Sequence, residues 1–152
     1  MVDVHLSGGC QCGAVRFHIT GNVGTPSICH CRMCQKAHGA PVIGWLTVPD
    51  DKLDWTRGAP AAFRSSAEAV RSFCGHCGTP LAFHRDGAAA TDIATAALDE
   101  PERSAPVRQY GIEARMSWFD TAHLLPGEVA GACNSSFQHP DHDTADWVPH
   151  HV

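Results

Sequence analysis

Seven of the eight cysteines stand in three tight groups, Cys10-Gln11-Cys12, Cys29-His30-Cys31-Arg32-Met33-Cys34 and Cys74-Gly75-His76-Cys77. Thiolates grouped in this way are ligands for a soft divalent ion, above all zinc. Cys10 and Cys12 are two residues apart, so an extended backbone turns both sulfurs to one side. Cys74-Gly75-His76-Cys77-Gly78 reads as a knuckle, in which the glycines permit the tight backbone that gathers two sulfurs under amide N–H donors. Cys10, Cys12, Cys74 and Cys77 together would complete a tetrahedron with no open position. That would be a structural site, closing a loop of about sixty residues.

The middle group differs. Cys29, Cys31 and Cys34 lie close enough to fold around one ion by themselves, and three local thiolates leave a fourth coordination position free. Such a position can hold water, or take a substrate thiol and keep it as the nucleophilic thiolate. An all-sulfur shell favours a soft fourth ligand. Two other readings stay open on spacing alone. His38, four residues beyond Cys34, or else His30 or Cys133, would close the shell and make the site structural. Alternatively Cys29 and Cys31 would share an ion with Cys74 and Cys77. Arg32 and Lys36 flank the group, where a cation can offset the charge of a tris-thiolate centre or pair with a substrate carboxylate. Cys133, isolated near the C-terminus, reads as an ordinary semi-buried thiol.

The elements that must position these ligands read as mostly β. Val15, Phe17 and Ile19 alternate with Arg16 and His18, the period of a strand with one buried face, so a strand leaves the first cysteine pair. Apolar, β-branched or aromatic runs follow at 42–48, 61–64, 70–73, 81–84 and 92–96, punctuated by Gly, Pro and Asp. Only Met33 to His38 looks like a helical turn. After a break at Leu98-Asp99-Glu100-Pro101-Glu102, a second apolar group of Trp118, Phe119, Leu124 and Leu125 is expected to pack back across the sheet. From Asn134 onward the chain is polar and aperiodic, which predicts a loose tail over 134–152. His139, His142, His150 and His151 in that tail read as solvated.

A chain of 152 residues is most simply one domain, here 1–133 ahead of the tail. With 11 basic and 16 acidic residues the net charge is −5, and no run of like charge argues for a nucleic-acid partner. The opening Met1-Val2-Asp3-Val4-His5-Leu6 lacks the basic and apolar regions of a signal peptide, and no segment has the apolar length of a membrane span. The expectation is a cytoplasmic protein, where cysteines bind metal in preference to forming disulfides.

Three stretches carry a likeness to a known family: Gly8-Gly9-Cys10-Gln11-Cys12-Gly13-Ala14-Val15-Arg16-Phe17, then Cys29-His30-Cys31-Arg32-Met33-Cys34-Gln35-Lys36-Ala37-His38-Gly39-Ala40-Pro41, then Phe73-Cys74-Gly75-His76-Cys77-Gly78-Thr79-Pro80-Leu81. In these the chain resembles the glutathione-dependent formaldehyde-activating (GFA) family, also called the centromere-protein-V/GFA domain family. Weaker agreement continues through Leu98-Asp99-Glu100-Pro101 and Trp118-Phe119 to Leu125-Pro126. The resemblance implies a mainly β fold of the β-tent type, twisted antiparallel sheets stapled by zinc with little helix. It implies two zinc ions per chain, a structural one on Cys10, Cys12, Cys74 and Cys77 and a second on Cys29, Cys31 and Cys34. The implied activity is carbon–sulfur lyase chemistry, the reversible joining of formaldehyde and glutathione as S-hydroxymethylglutathione. Where family members commonly carry a His-Ile-aromatic run, this chain has Gln109-Tyr110-Gly111, which bears on substrate specificity.

Two function classes follow. One is a zinc-dependent lyase acting on a small thiol, glutathione for example, and its aldehyde adduct. The other is a non-catalytic zinc module that binds a protein or peptide. They part at the second ion, which must keep an open position in the first case and is closed by side chains in the second.

Overall fold

The computed structural model describes residues 2–131 and 136–146. Strands β1 (Val2–Gly9) and β2 (Arg16–Val23) form a hairpin whose turn carries the first cysteine pair. β3 (Ser27–Cys29) leads into α1 (Arg32–His38), the single α-helix among the described residues, and β4 (Ile43–Pro49) returns antiparallel to β3. β5 (Leu53–Arg57) then joins β2 to complete a three-stranded sheet of order β1-β2-β5. β6 (Ala61–Ser66), β7 (Ala69–Phe73), β8 (Pro80–Arg85) and β9 (Ala90–Ala94) form a meander that pairs with β4. With β10 (Gln109–Tyr110) the larger sheet has seven strands in the order β10-β3-β4-β9-β8-β7-β6. Among the described residues, only β10 against β3 is parallel. The chain is therefore mainly β with little helix, as its alternating runs predict.

The core lies where the two sheets face each other. Phe17 and Ile19 from the smaller sheet meet Leu46, Val48, Leu81 and Ile93 from the larger, all at most 1% exposed. Burying side chains of this size stabilises by about 1.5–3 kcal/mol each. A smaller cluster of Trp45, Ala94 and Cys34 backs the helix.

Two expectations need correcting. Trp118, Leu124 and Leu125 do not pack back on the sheet: residues 119–124 form a 3-10 helix, and these three side chains are half or more exposed. Of that group Phe119 has a partner, the ring of His30, met edge-on at 4.9 Å. The described part of the tail, 136–146, is docked, not loose. The His139 amide donates to the Gln11 carbonyl at 2.7 Å, Arg57 donates to Thr144, and Asp143 accepts from Arg16 at 2.9 Å and contacts His18 at 2.6 Å. A buried cation explains why a polar segment is held there. Arg16, read as outward-facing, is only 2% exposed, and it donates to both Asp99 oxygens, at 2.8 and 2.5 Å, as well as to Asp143. A guanidinium so far from water requires carboxylate partners. Cys133, His150 and His151 lie outside the described residues. Among the described residues, no helix is long and apolar enough to cross a membrane.

Candidate metal centres and the cavities beside them

Cys10 and Cys12 sit on the turn after β1, and Cys74 and Cys77 on the turn between β7 and β8. Pairing of the two turns brings all four Sγ atoms within 4.8 Å of one another. The Cys10–Cys12 and Cys12–Cys74 sulfur separations are 3.6 and 3.8 Å. Four sulfurs at the usual zinc distance stand about 3.8 Å apart in a tetrahedron, so the cluster has the spacing of a zinc site. The Val15 amide donates to Cys10 Sγ at 3.3 Å and the His76 amide to Cys74 Sγ at 3.4 Å, as donors do to thiolates. Thr79 ties the turns together: its hydroxyl accepts from the Gln11 amide at 3.0 Å and lies 3.1 Å from Cys77 Sγ. Burial raises the Cys77 thiol, but hydrogen bonds from Thr79 and Cys12 outweigh it and bring it down to about 6. Burial pushes Cys10 the other way, well above the thiol range. Sulfurs so crowded cannot all ionise unless a cation sits among them, which agrees with a metal-binding role.

The second group is Cys29 at the end of β3, Cys31 at the N-cap of α1 and Cys34 in its first turn, with the three Sγ atoms again within 4.8 Å. The Cys34 amide donates to Cys31 Sγ at 3.4 Å, so one candidate ligand also caps the helix. The middle of α1 is anchored through Gln35, whose side-chain amide donates to the Pro41 and Ala114 carbonyls. The structure thus brings the cysteines together as four and three, not in the alternative pairing of Cys29 and Cys31 with Cys74 and Cys77.

No further His, Cys, Asp or Glu among the described residues joins the three sulfurs. His38 is turned instead to Arg71, whose Nη1 lies 3.3 Å from its Nε2. Burial and the charge of Arg71 push His38 down to about 4, so it is neutral at pH 7 and accepts this hydrogen bond. Its ring stands edge-on to Trp45 at 5.2 Å. His30 is engaged elsewhere, with Nε2 2.9 Å from Gln109 Oε1.

Arg71 is the site residue that spacing did not reveal. It is 7% exposed, its Nη2 donates to Cys34 Sγ at 3.4 Å, and its guanidinium lies over the Phe83 ring at 4.9 Å. It takes the charge-balancing place for which Arg32 and Lys36 were candidates, while those two remain exposed on α1. The available signal was its position: Arg71 shares the buried face of β7 with Ala69, two residues away. Three buried polar atoms, His30 Nδ1, His38 Nδ1 and Arg71 Nε, have no hydrogen-bond partner among the described residues. All three belong to side chains grouped around the triad.

Two cavities adjoin Arg71. One, of about 490 Å³, lies between α1 and the β7–β8 hairpin, walled by Ala37, Phe63, Phe73, Pro80 and Ala82, with His38 and Arg71 among its polar residues. The other, of about 540 Å³, is lined by Arg32, Met33, Lys36, Ala37, Phe63, Ser65 and Arg71. Ala37, Phe63 and Arg71 are common to both.

The family model described as glutathione-dependent formaldehyde-activating enzyme matches residues 5–113, a span that holds all seven clustered cysteines together with Arg71, Gln109 and Gly111. The crystal structure of a Rhodobacter sphaeroides protein is similar with a TM-score of 0.55 and 21% identity, over 68% of this chain and 98% of that one. At that identity the likeness speaks for the fold.

Proposed function

The chain belongs to the glutathione-dependent formaldehyde-activating enzyme family, and from that we propose that it is a carbon–sulfur lyase, joining a small thiol to an aldehyde and releasing them again. Glutathione and formaldehyde, with S-hydroxymethylglutathione as their adduct, are the reference pair. The observation that carries this reading is the triad of Cys29, Cys31 and Cys34, three converging sulfurs that no fourth donor side chain among the described residues completes. Zinc held there would supply Lewis acidity, which lowers the pKa of an incoming thiol or polarises a carbonyl oxygen. Cys10, Cys12, Cys74 and Cys77 would hold a structural ion.

The chain's own residues do the rest. In the forward direction the thiol loses its proton, a sulfur lone pair forms the C–S bond at the carbonyl carbon, and the π electrons move to oxygen, which takes up a proton. The reverse step deprotonates the hydroxyl and breaks the C–S bond. Arg71, 3.4 Å from Cys34 Sγ, offsets the negative charge of the sulfur shell. The neutral His38 packs edge-on against Trp45, and His30 is held by Gln109.

The test is adduct formation followed by NMR exchange against an enzyme-free blank, since the reaction also runs uncatalysed. Protein with two zinc ions should exceed the blank. Cys31→Ser should fall to the blank and remain folded, whereas Cys77→Ser should unfold, because a structural zinc contributes about 10–16 kcal/mol. Fully loaded protein that never exceeds the blank would leave a zinc-held binding module.

A further inference from the structure

We infer that the aldehyde handled by this chain carries an apolar group of phenyl or branched-alkyl size, seated in the cavity between α1 and the β7–β8 hairpin, while the anionic groups of the thiol occupy the adjoining cationic cavity. The inference rests on the lyase reading and adds the substrate class.

Formaldehyde brings a single carbon, and a cavity of about 490 Å³ leaves nearly all of its walls uncovered. Those walls are mostly carbon: the rings of Phe63 and Phe73, the Pro80 ring, and the methyl groups of Ala37 and Ala82. Apolar surface of this kind favours an apolar occupant by about 25 cal/mol for each Å² removed from water. Arg71 links the cavity to the triad, because it lines the cavity and also donates to Cys34 Sγ at 3.4 Å. An adduct with its sulfur at the triad can therefore extend its carbon substituent along Phe63 and Phe73.

His38, Arg71 and Ser72 supply the few polar groups of this cavity. The second cavity has the opposite character. Arg32, Lys36 and Arg71 line it with no acidic residue, and neither Arg32 nor Lys36 forms an ion pair among the described residues. Three cations there suit a thiol that bears more than one carboxylate.

S-benzylglutathione and S-methylglutathione are stable probes of the two halves, and calorimetric titration into zinc-loaded protein compares them directly. The benzyl compound is expected to bind at least tenfold more tightly. Ser72→Leu, which narrows the apolar cavity from β7, should bring the ratio towards one. If that variant loses its metal or its fold, Phe63→Ala makes the same comparison by removing an exposed wall. Equal affinities, with clear binding of the methyl compound, would overturn the aldehyde class and leave the lyase reading standing. If neither compound binds, the inference falls, and adduct formation no faster than the blank would then remove the lyase reading as well.

Discussion

Three thiolates around a divalent ion carry one net negative charge, and a buried centre cannot hold that charge unpartnered. Arg71 meets it through Cys34 and is itself positioned by His38 and the Phe83 ring. Removing such a hydrogen bond to a ligand typically weakens metal binding about 10–100-fold. Arg71→Met is thus expected to drop zinc content from two towards one per chain after dialysis against a mild chelator, while the circular dichroism stays near wild type. Arg71→Lys should fall between the two, keeping the charge but not the fork that reaches both Cys34 and His38. The cysteine clusters were legible because their spacing is the chemistry. Arg71 was not, because its role depends on which face of β7 turns inward and on α1 packing beside that face from 33 residues earlier in the chain.

Short elements shape the second site, and the sequence concealed them along with β1 and β5. The long alternating runs announced β2, β4, β6, β7, β8 and β9 to within a few residues. β3 and β10, three and two residues long, are too short to show a period, and their parallel pairing sets Tyr110 against Cys29 from opposite ends of the domain. Immediately after β10, Gly111 adopts φ 64°, and a Cβ there would stand 2.6 to 2.9 Å from the backbone and Cβ of Cys31. Alanine at this position combines a strained backbone with a collision against a residue of the triad. Gly111→Ala should displace Cys31, giving about one zinc per chain by elemental analysis with the four-cysteine cluster still filled. Two zinc ions in that variant would show that Cys31 does not depend on β10 for its place. The Gln109 side chain, two residues before Gly111, is tied to His30 at 2.9 Å.

Across the molecule, the docked tail and the carboxylates of Asp99 and Asp143 converge on Arg16. Burial works against the Asp99 carboxylate, but the hydrogen bonds from Arg16 and Ser7 outweigh it and hold the group below the usual carboxylate range. A folded-state value lowered in this way contributes stability that is fully present above the unfolded pKa near 4 and is lost as pH falls through the folded value. Asp99→Asn should cost about 3 kcal/mol at pH 7, the penalty for breaking a buried pair. Measured by denaturant titration, the gap from wild type should close as pH drops below about 4. A constant gap would mean the ionised form is not what matters. Composition hid this arrangement: Arg16 sits where the alternation of β2 calls for a solvent-facing residue, and its partners arrive 83 and 127 positions later.

The four-cysteine cluster draws two ligands from before Cys29 and two from after Arg71, with the exposed Ala67-Glu68 turn of the β6–β7 hairpin between them. A protease that severs this turn would make two fragments, each holding half of one coordination shell. With metal bound they would travel together, so an intact mass on a sizing column would say nothing about whether the backbone is whole. Only a chelator or a denaturing gel would reveal the cut.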